Sequence, residues 1–411
     1  MMKRNKWGMA LAAVGIHLCI GSVYAWSVLT KPVMEDMGLS LSEVTWAFSI
    51  AILFLGMSAG FLGGLVERIG PRNSGWLSAC FFGTGMLGTA LAISWKSPFL
   101  LYLFYGCLGG IGLGTGYITP VSTLVKWFPR HRGFATGLAI MGFGFSALLA
   151  GPAMQYLTST VGLVSTFFIL GTVYFVIIVL SASYLRPPRK GEVATRFEEG
   201  LRKQTDTRKQ RTAKESSLTR KEAMHTWKWY ALWWIFFTNI TCGIGLLAIV
   251  SPMAQEVIHM TAAEAASFVG IIGIVNGAGR IIWSTVSDRI GRGLTYILFF
   301  AFEIAAFYLL AQTGDVFLFE WLVLAIISCY GGGFSCMPAY LSDLFGVRQL
   351  AAIHGSILTA WGIAGIAGPL VLAVMKEMTG GYELTLDLFA GMMVLAFVIA
   401  TVLYVSNRKG V

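Results

Sequence analysis

Twelve separate apolar runs, each long enough to cross a bilayer as a helix, constrain this chain more than any other feature. They lie near 7–31, 42–67, 72–95, 99–127, 133–158, 163–185, 227–257, 261–288, 293–312, 317–345, 352–378 and 384–406. About 20 apolar residues span the ~30 Å hydrocarbon layer as a helix. Inside lipid the backbone must satisfy its own polar groups, so an open run can cross only as a helix. The fold predicted is therefore an all-α membrane protein of twelve transmembrane helices. Charged residues make up 12% of the chain, against about 25% in a soluble domain. Residues 186–222 are polar and separate the sixth run from the seventh. They read as a linker between an N-terminal six-helix bundle, 1–185, and a C-terminal one, 223–411. Within it Thr219-x-x-Glu222 has the spacing of a capping box and predicts a short helix leading into the seventh run.

The net charge of +10 could suggest a nucleic-acid partner, but its distribution excludes that class. An even number of spans puts both termini on one side. Of the 30 Lys and Arg, 26 then fall on the side of the termini and the linker, and only Lys31, Lys96 and Lys376 on the other. Positive charge stays cytoplasmic during insertion, so both termini are expected in the cytoplasm and the protein in the inner membrane. The basic linker can also touch anionic lipid. The first run begins like a signal peptide and reaches Ser22-Val23-Tyr24-Ala25, yet its apolar character continues to about Thr30. It reads as a retained span. The six cysteines lie in apolar runs without metal spacing and read as small packing residues.

The remaining cation is Arg280, in the eighth run, with no other charge between Glu264 and Asp288. A charge at bilayer depth costs roughly 2.5–3.5 kcal/mol on insertion scales, so such a residue normally faces a partner or an aqueous pathway. Arg280 is therefore the leading candidate for holding something anionic. The alternative is a structural arginine pinned to backbone carbonyls or to a carboxylate elsewhere. Asn276 lies four residues earlier, on the same helix face. Tyr117 follows a glycine-rich run in the fourth span, and Tyr330 precedes Gly331-Gly332-Gly333 in the tenth. A buried tyrosine hydroxyl needs a partner, which a substrate carboxylate or a neighbouring helix can supply. Tyr24, Trp361 and Asn239 are weaker lining candidates. His17 reads as a packing residue or as a remote proton carrier. His354 lies near the cytoplasmic end of the eleventh span, where a gate role and a proton role are both open. Glu303, deep in the ninth span, reads as a neutral or snorkelling side chain at the periphery.

The halves repeat. Gly64-Leu65-Val66-Glu67-Arg68-Ile69-Gly70 after the second span is echoed by Ser284-Thr285-Val286-Ser287-Asp288-Arg289-Ile290-Gly291-Arg292 after the eighth. Gly151-Pro152 in the fifth span is echoed by Gly368-Pro369 in the eleventh. Two parallel, pseudo-symmetric six-helix bundles resemble the architecture of the major facilitator superfamily. The acidic–basic–glycine turn is similar to that superfamily's signature, which implies gating roles for Glu67, Arg68, Asp288 and Arg289; Asp343, near the cytoplasmic end of the tenth span, is by position a candidate for a gate role or a proton role. Glu67 stands where the signature has aspartate, and Ser284 where it has glycine.

The run Trp127-Phe128-Pro129-Arg130-His131-Arg132-Gly133-Phe134-Ala135-Thr136-Gly137, with Gly142 beyond it, resembles the fifth-span signature of the monocarboxylate porter family. That family includes proton-coupled lactate and pyruvate carriers and bacterial oxalate–formate exchangers. The resemblance implies that Arg280 binds the substrate carboxylate. Asn276 stands where animal lactate carriers have aspartate, and Val28 where they have lysine. Trp361 stands where the oxalate exchangers have a second cation. One buried cation balances one carboxylate, whereas a dianion would keep an uncompensated charge. The resemblance thus implies a secondary transporter of a small monocarboxylate with proton symport; organic-anion exchange and a non-transporting nutrient sensor are the alternatives. No nucleophile, base or metal cluster suggests an enzyme. The expected partners are the substrate, a proton and the bilayer. No cofactor, metal or nucleic acid is expected, and the protein is expected to be monomeric.

Overall fold

The computed structural model describes residues 5–128, 132–188, 218–346 and 350–409, without the side chains at 64, 67, 125, 132–137, 350–352 and 408–409. Residues 129–131 of the fifth-span signature and most of the linker lie outside these residues, and the signature is described at 132–137 by its backbone alone.

Among the described residues, twelve helices are long and apolar enough to cross a membrane: Lys6–Ala25, Leu41–Phe61, Arg68–Ser94, Pro98–Leu124, Leu138–Val161, Leu163–Tyr184, Trp227–Val257, Ala262–Ile290, Arg292–Leu310, Val316–Phe345, Ile353–Thr379 and Glu383–Asn407. Local chemistry sets many of their ends. Ser40 with Glu43, Thr219 with Glu222 and Thr261 with Glu264 form reciprocal capping boxes at the second span, the short helix Arg220–Met224 and the eighth span. The repeated acidic–basic–glycine turn has one backbone shape in both halves. Gly70 has φ 79° and ψ 164°, and Gly291 has φ 91° and ψ 147°. A side chain is strongly disfavoured there, which accounts for glycine at the matching positions.

Several spans depart from regular α-helix, and the departures position the centre of the molecule. The first breaks into a 3-10 stretch at Gly21–Ala25 before continuing as Ser27–Met37. The fourth opens into a π-helical stretch at Tyr102–Gly109. The eleventh is interrupted at Leu358, between Leu350–Ile357 and Thr359–Thr379. Such breaks re-aim side chains and often mark functional regions.

The bundles meet where the fifth span packs on the eighth and the second on the eleventh. Glycine makes both crossings close. A Cβ on Gly144 would lie 3.0 Å from the Gly277 Cα, and one on Gly56 would lie 2.9 Å from the Gly362 Cα. Small residues let helix backbones approach in a membrane. The seventh span is central, with 94% of its apolar window buried, against 39% for the sixth and 33% for the twelfth, which face lipid.

A donor-rich candidate site at the bundle interface

Arg280 lies on the inner face of the eighth span, 5% exposed. Glycines bring that helix in tightly: a Cβ on Gly279 would lie 2.6 Å from the Ser328 carbonyl oxygen of the tenth span. The Arg280 Nε donates to Asn276 Oδ1 at 3.5 Å, so the four-residue spacing does join the two side chains. The guanidinium carbon lies 5.3 Å from the centroid of the Phe334 ring, a cation–π distance. The Tyr24 and Tyr117 hydroxyls, from the first and fourth spans, lie within its reach. Tyr24 Oη and Tyr330 Oη sit 3.1 Å apart and connect the two bundles across the site. Trp361 meets Tyr117 edge-on at 5.6 Å and Phe334 at 4.9 Å. All six lining candidates except Asn239 therefore converge on Arg280.

The polar atoms there are nearly all donors. Arg280 Nη1, Asn276 Nδ2 and Trp361 Nε1 are buried and have no hydrogen-bond partner among the described residues. None of the described carboxylates forms an ion pair with Arg280. Buried polar groups are normally satisfied, and a set of orphaned donors around a cation fits an oxyanion. The reading of Arg280 as an arginine pinned to a hidden carboxylate finds no support among these residues. Among the described residues, no group of three His, Cys, Asp or Glu side chains could hold a metal.

Other sequence candidates lie elsewhere. Asn239 packs on the opposite flank of the tenth span, against Gly333, while Asn276 packs against Gly331. Glu303 does not snorkel. It is fully buried, with Asn239 as its polar neighbour and no hydrogen-bond partner for either oxygen among the described residues. The ninth span turns this face inward rather than to lipid. His17 is buried, and each ring nitrogen lies within hydrogen-bonding distance of a backbone carbonyl oxygen, Nδ1 of Ala139 and Nε2 of Tyr117. The six cysteines are free, and Cys80 is exposed rather than packed.

The charged ends of the spans form two groups. On the termini side, Arg292 pairs with Asp288 and reaches Asp343 at 3.8 Å, and it also bonds Ser287. Arg292 is the hub the sequence reading missed, and all its partners are in the C-terminal bundle. Arg68 and Arg289 are exposed, and the Glu67 side chain is outside the described residues. On the opposite face Glu256 is shared by Lys376 at 3.0 Å and Lys31 at 3.7 Å, and accepts from the Tyr382 hydroxyl at 3.1 Å. Burial, then the adjacent Glu256, pushes the Tyr382 phenol well up, so it stays a donor. The Ser42 N–H donates to Glu377 beside this group, at 2.6 Å. Lys31 and Ser42 belong to the N-terminal bundle, and Glu256 and Glu377 to the other. Sequence gave these lysines meaning only as topology signals.

Two six-helix bundles enclosing a buried cation at their interface define a polytopic membrane transporter. The chain belongs to the Major Facilitator Superfamily, whose family model matches residues 10–369. It is 27% identical to an uncharacterised transporter of that type, YhjX, from Escherichia coli, over 89% of this chain and 87% of that one. It is 27% identical to the oxalate:formate antiporter of Oxalobacter formigenes, over 89% and 83%. It is 23% identical to apicoplast pyruvate carrier 1 of Toxoplasma gondii, over 86% and 81%. Among solved structures, a bacterial homologue of the human lysosomal transporter Spinster, inward-facing and occupied, superimposes with a TM-score of 0.71 at 15% identity, over 99% of this chain and 98% of that one.

Proposed function

We propose that the protein carries a small monocarboxylate of the lactate–pyruvate class across the inner membrane by alternating access, with proton symport. The observation that carries this reading is Arg280: a buried guanidinium whose Nη1 has no partner among the described residues, surrounded by further donors and paired with none of the described carboxylates. Arg280 holds the carboxylate. Asn276 fixes the guanidinium and offers its own Nδ2, while the Tyr24, Tyr117 and Tyr330 hydroxyls and the Trp361 indole complete the donor shell. Phe334 and Phe143, the latter meeting the Tyr24 ring edge-on at 4.9 Å and the Tyr117 ring at 5.7 Å, close the apolar side around a short carbon chain. One cation suits one carboxylate, and the relatives named for oxalate:formate exchange and for pyruvate are consistent with an organic-acid substrate.

Alternating access then rocks the bundles about their glycine contacts. Asp288 and Asp343, gathered by Arg292, act with Arg289 and Arg68 as the gate on the termini side, which the charge asymmetry assigns to the cytoplasm. An acid of pKa near 3.9 is only about one part in a thousand neutral at pH 7. Moving its anion inward against the membrane potential costs about 2.3 kcal/mol per 100 mV, and one proton removes that cost. Exchange for another monoanion removes it equally, and the Oxalobacter relative makes that the second reading.

The test is uptake of labelled lactate, pyruvate and oxalate by proteoliposomes, with and without an imposed proton gradient. Gradient-accelerated uptake of a monoacid supports symport. Acceleration by preloaded monoanion with no response to the gradient establishes exchange, and absence of any uptake with intact substrate binding would leave a sensor.

A further inference from the structure

His17 lies in the first span, fully buried, and each of its ring nitrogens faces a backbone carbonyl. Nδ1 is 2.5 Å from the Ala139 oxygen of the fifth span, and Nε2 is 3.0 Å from the Tyr117 oxygen of the fourth. A carbonyl oxygen only accepts. A neutral imidazole donates from one nitrogen and presents a lone pair from the other. One of the two contacts is therefore lone pair against lone pair unless the ring carries two protons.

We propose that His17 is a proton-binding site, and that its proton and the carboxylate at Arg280 bind cooperatively. This rests on the transport reading above. The ring stacks on Tyr117, with centroids 5.5 Å apart, and Tyr117 in turn faces Arg280 and Trp361. Arg280 is also close enough to act on His17 electrostatically. Two cations that sense each other across a buried site repel. A carboxylate on Arg280 cancels that repulsion and favours the proton on His17, and by linkage the proton favours the carboxylate. Among the described residues, Tyr117 on the fourth span and Arg280 on the eighth are the titratable or charged groups facing the ring; from the fifth span Ala139 and Phe143 face it, and neither titrates. The fifth span also makes the Gly144–Gly277 crossing onto the helix that carries Arg280. The site needs no acid beside Arg280, which accommodates asparagine at position 276.

Nitrogen-15 NMR of full-length protein labelled at histidine, in lipid, reads the ring directly, with His17 assigned by its contacts to the Tyr117 ring. A titration from roughly pH 5 to 8, with and without saturating lactate, is expected to show His17 doubly protonated and its midpoint moved upward by lactate. A ring that stays singly protonated throughout with lactate bound overturns the proposal. In proteoliposomes, His17→Gln removes the titrating ring but keeps an N–H donor. The ratio of proton-driven uptake to exchange against preloaded lactate is expected to fall by about tenfold, and an unchanged ratio also overturns it. If the wild type moves no monocarboxylate, the transport reading fails, while the NMR titration still decides whether His17 holds the second proton.

Discussion

Replacing Arg280 is the most direct probe of the site. Arg280→Ala leaves a bound carboxylate in a buried pocket without its counter-charge. Removing one member of a buried, hydrogen-bonded charge pair costs about 2–5 kcal/mol, or roughly 30- to 5,000-fold in affinity. Arg280→Lys is more discriminating. It keeps the charge but loses the Nε link to Asn276 and one arm of the guanidinium fork. A hydrogen bond to a charged group is worth about 1.5–3 kcal/mol, so lactate should bind roughly 10- to 150-fold more weakly. Lysine also lacks the flat face that guanidinium offers to Phe334. Equilibrium binding of labelled lactate to purified variants gives Kd, and uptake in liposomes gives transport. Wild-type lactate affinity in correctly inserted Arg280→Ala would refute the assignment of this arginine as the carboxylate anchor.

Oxalate should lose to lactate and pyruvate in uptake at equal concentration, and Trp361→Arg should raise relative oxalate uptake by supplying a second cation; preference for oxalate in the wild type contradicts the one-cation argument. Asn276→Asp should preserve the shape of the site but add a carboxylate that pairs with Arg280 and competes with the substrate when ionised. Uptake should then fall more steeply with rising pH than in the wild type and recover at acid pH, and superimposable pH profiles would discount the Asn276–Arg280 pairing. Gly144→Val forces a branched side chain against the Gly277 backbone, 3.0 Å from where its Cβ would sit, and should abolish transport in inserted protein; normal turnover would show that the crossing tolerates separation. Glu256→Gln removes the carboxylate shared by Lys31 and Lys376. These pairs are partly exposed, so the expected effect is up to about 1 kcal/mol, seen as severalfold faster thiol labelling of a cysteine introduced near Ser42. Unchanged labelling would mean that the cluster does not hold that face closed.

The number of spans, their limits to within about six residues, the capping box at Thr219 and the duplicated glycine turns were legible in the sequence, because each depends on local composition and on backbone preferences that act over a few residues. Arg280 was legible for a similar reason: a charge in an apolar run is conspicuous wherever the run folds. Its link to Asn276 followed from helical spacing alone. What surrounds that pair was not legible. Phe334, Phe143 and the Tyr24–Tyr330 contact come from three different helices and meet only through packing between the bundles. Glu303 looked peripheral because sequence says that a residue lies at membrane depth but not which way its helix is turned, and the ninth span turns it inward. The two carbonyls facing His17 belong to residues 100 and 122 positions away along the chain. Backbone carbonyls leave no mark in a sequence at all. Sequence thus determined which segments enter the membrane and which charge stands alone there; tertiary structure decided what that charge faces, because in a helical membrane protein the neighbours of a side chain are set by the rotation and close approach of helices far apart in the chain.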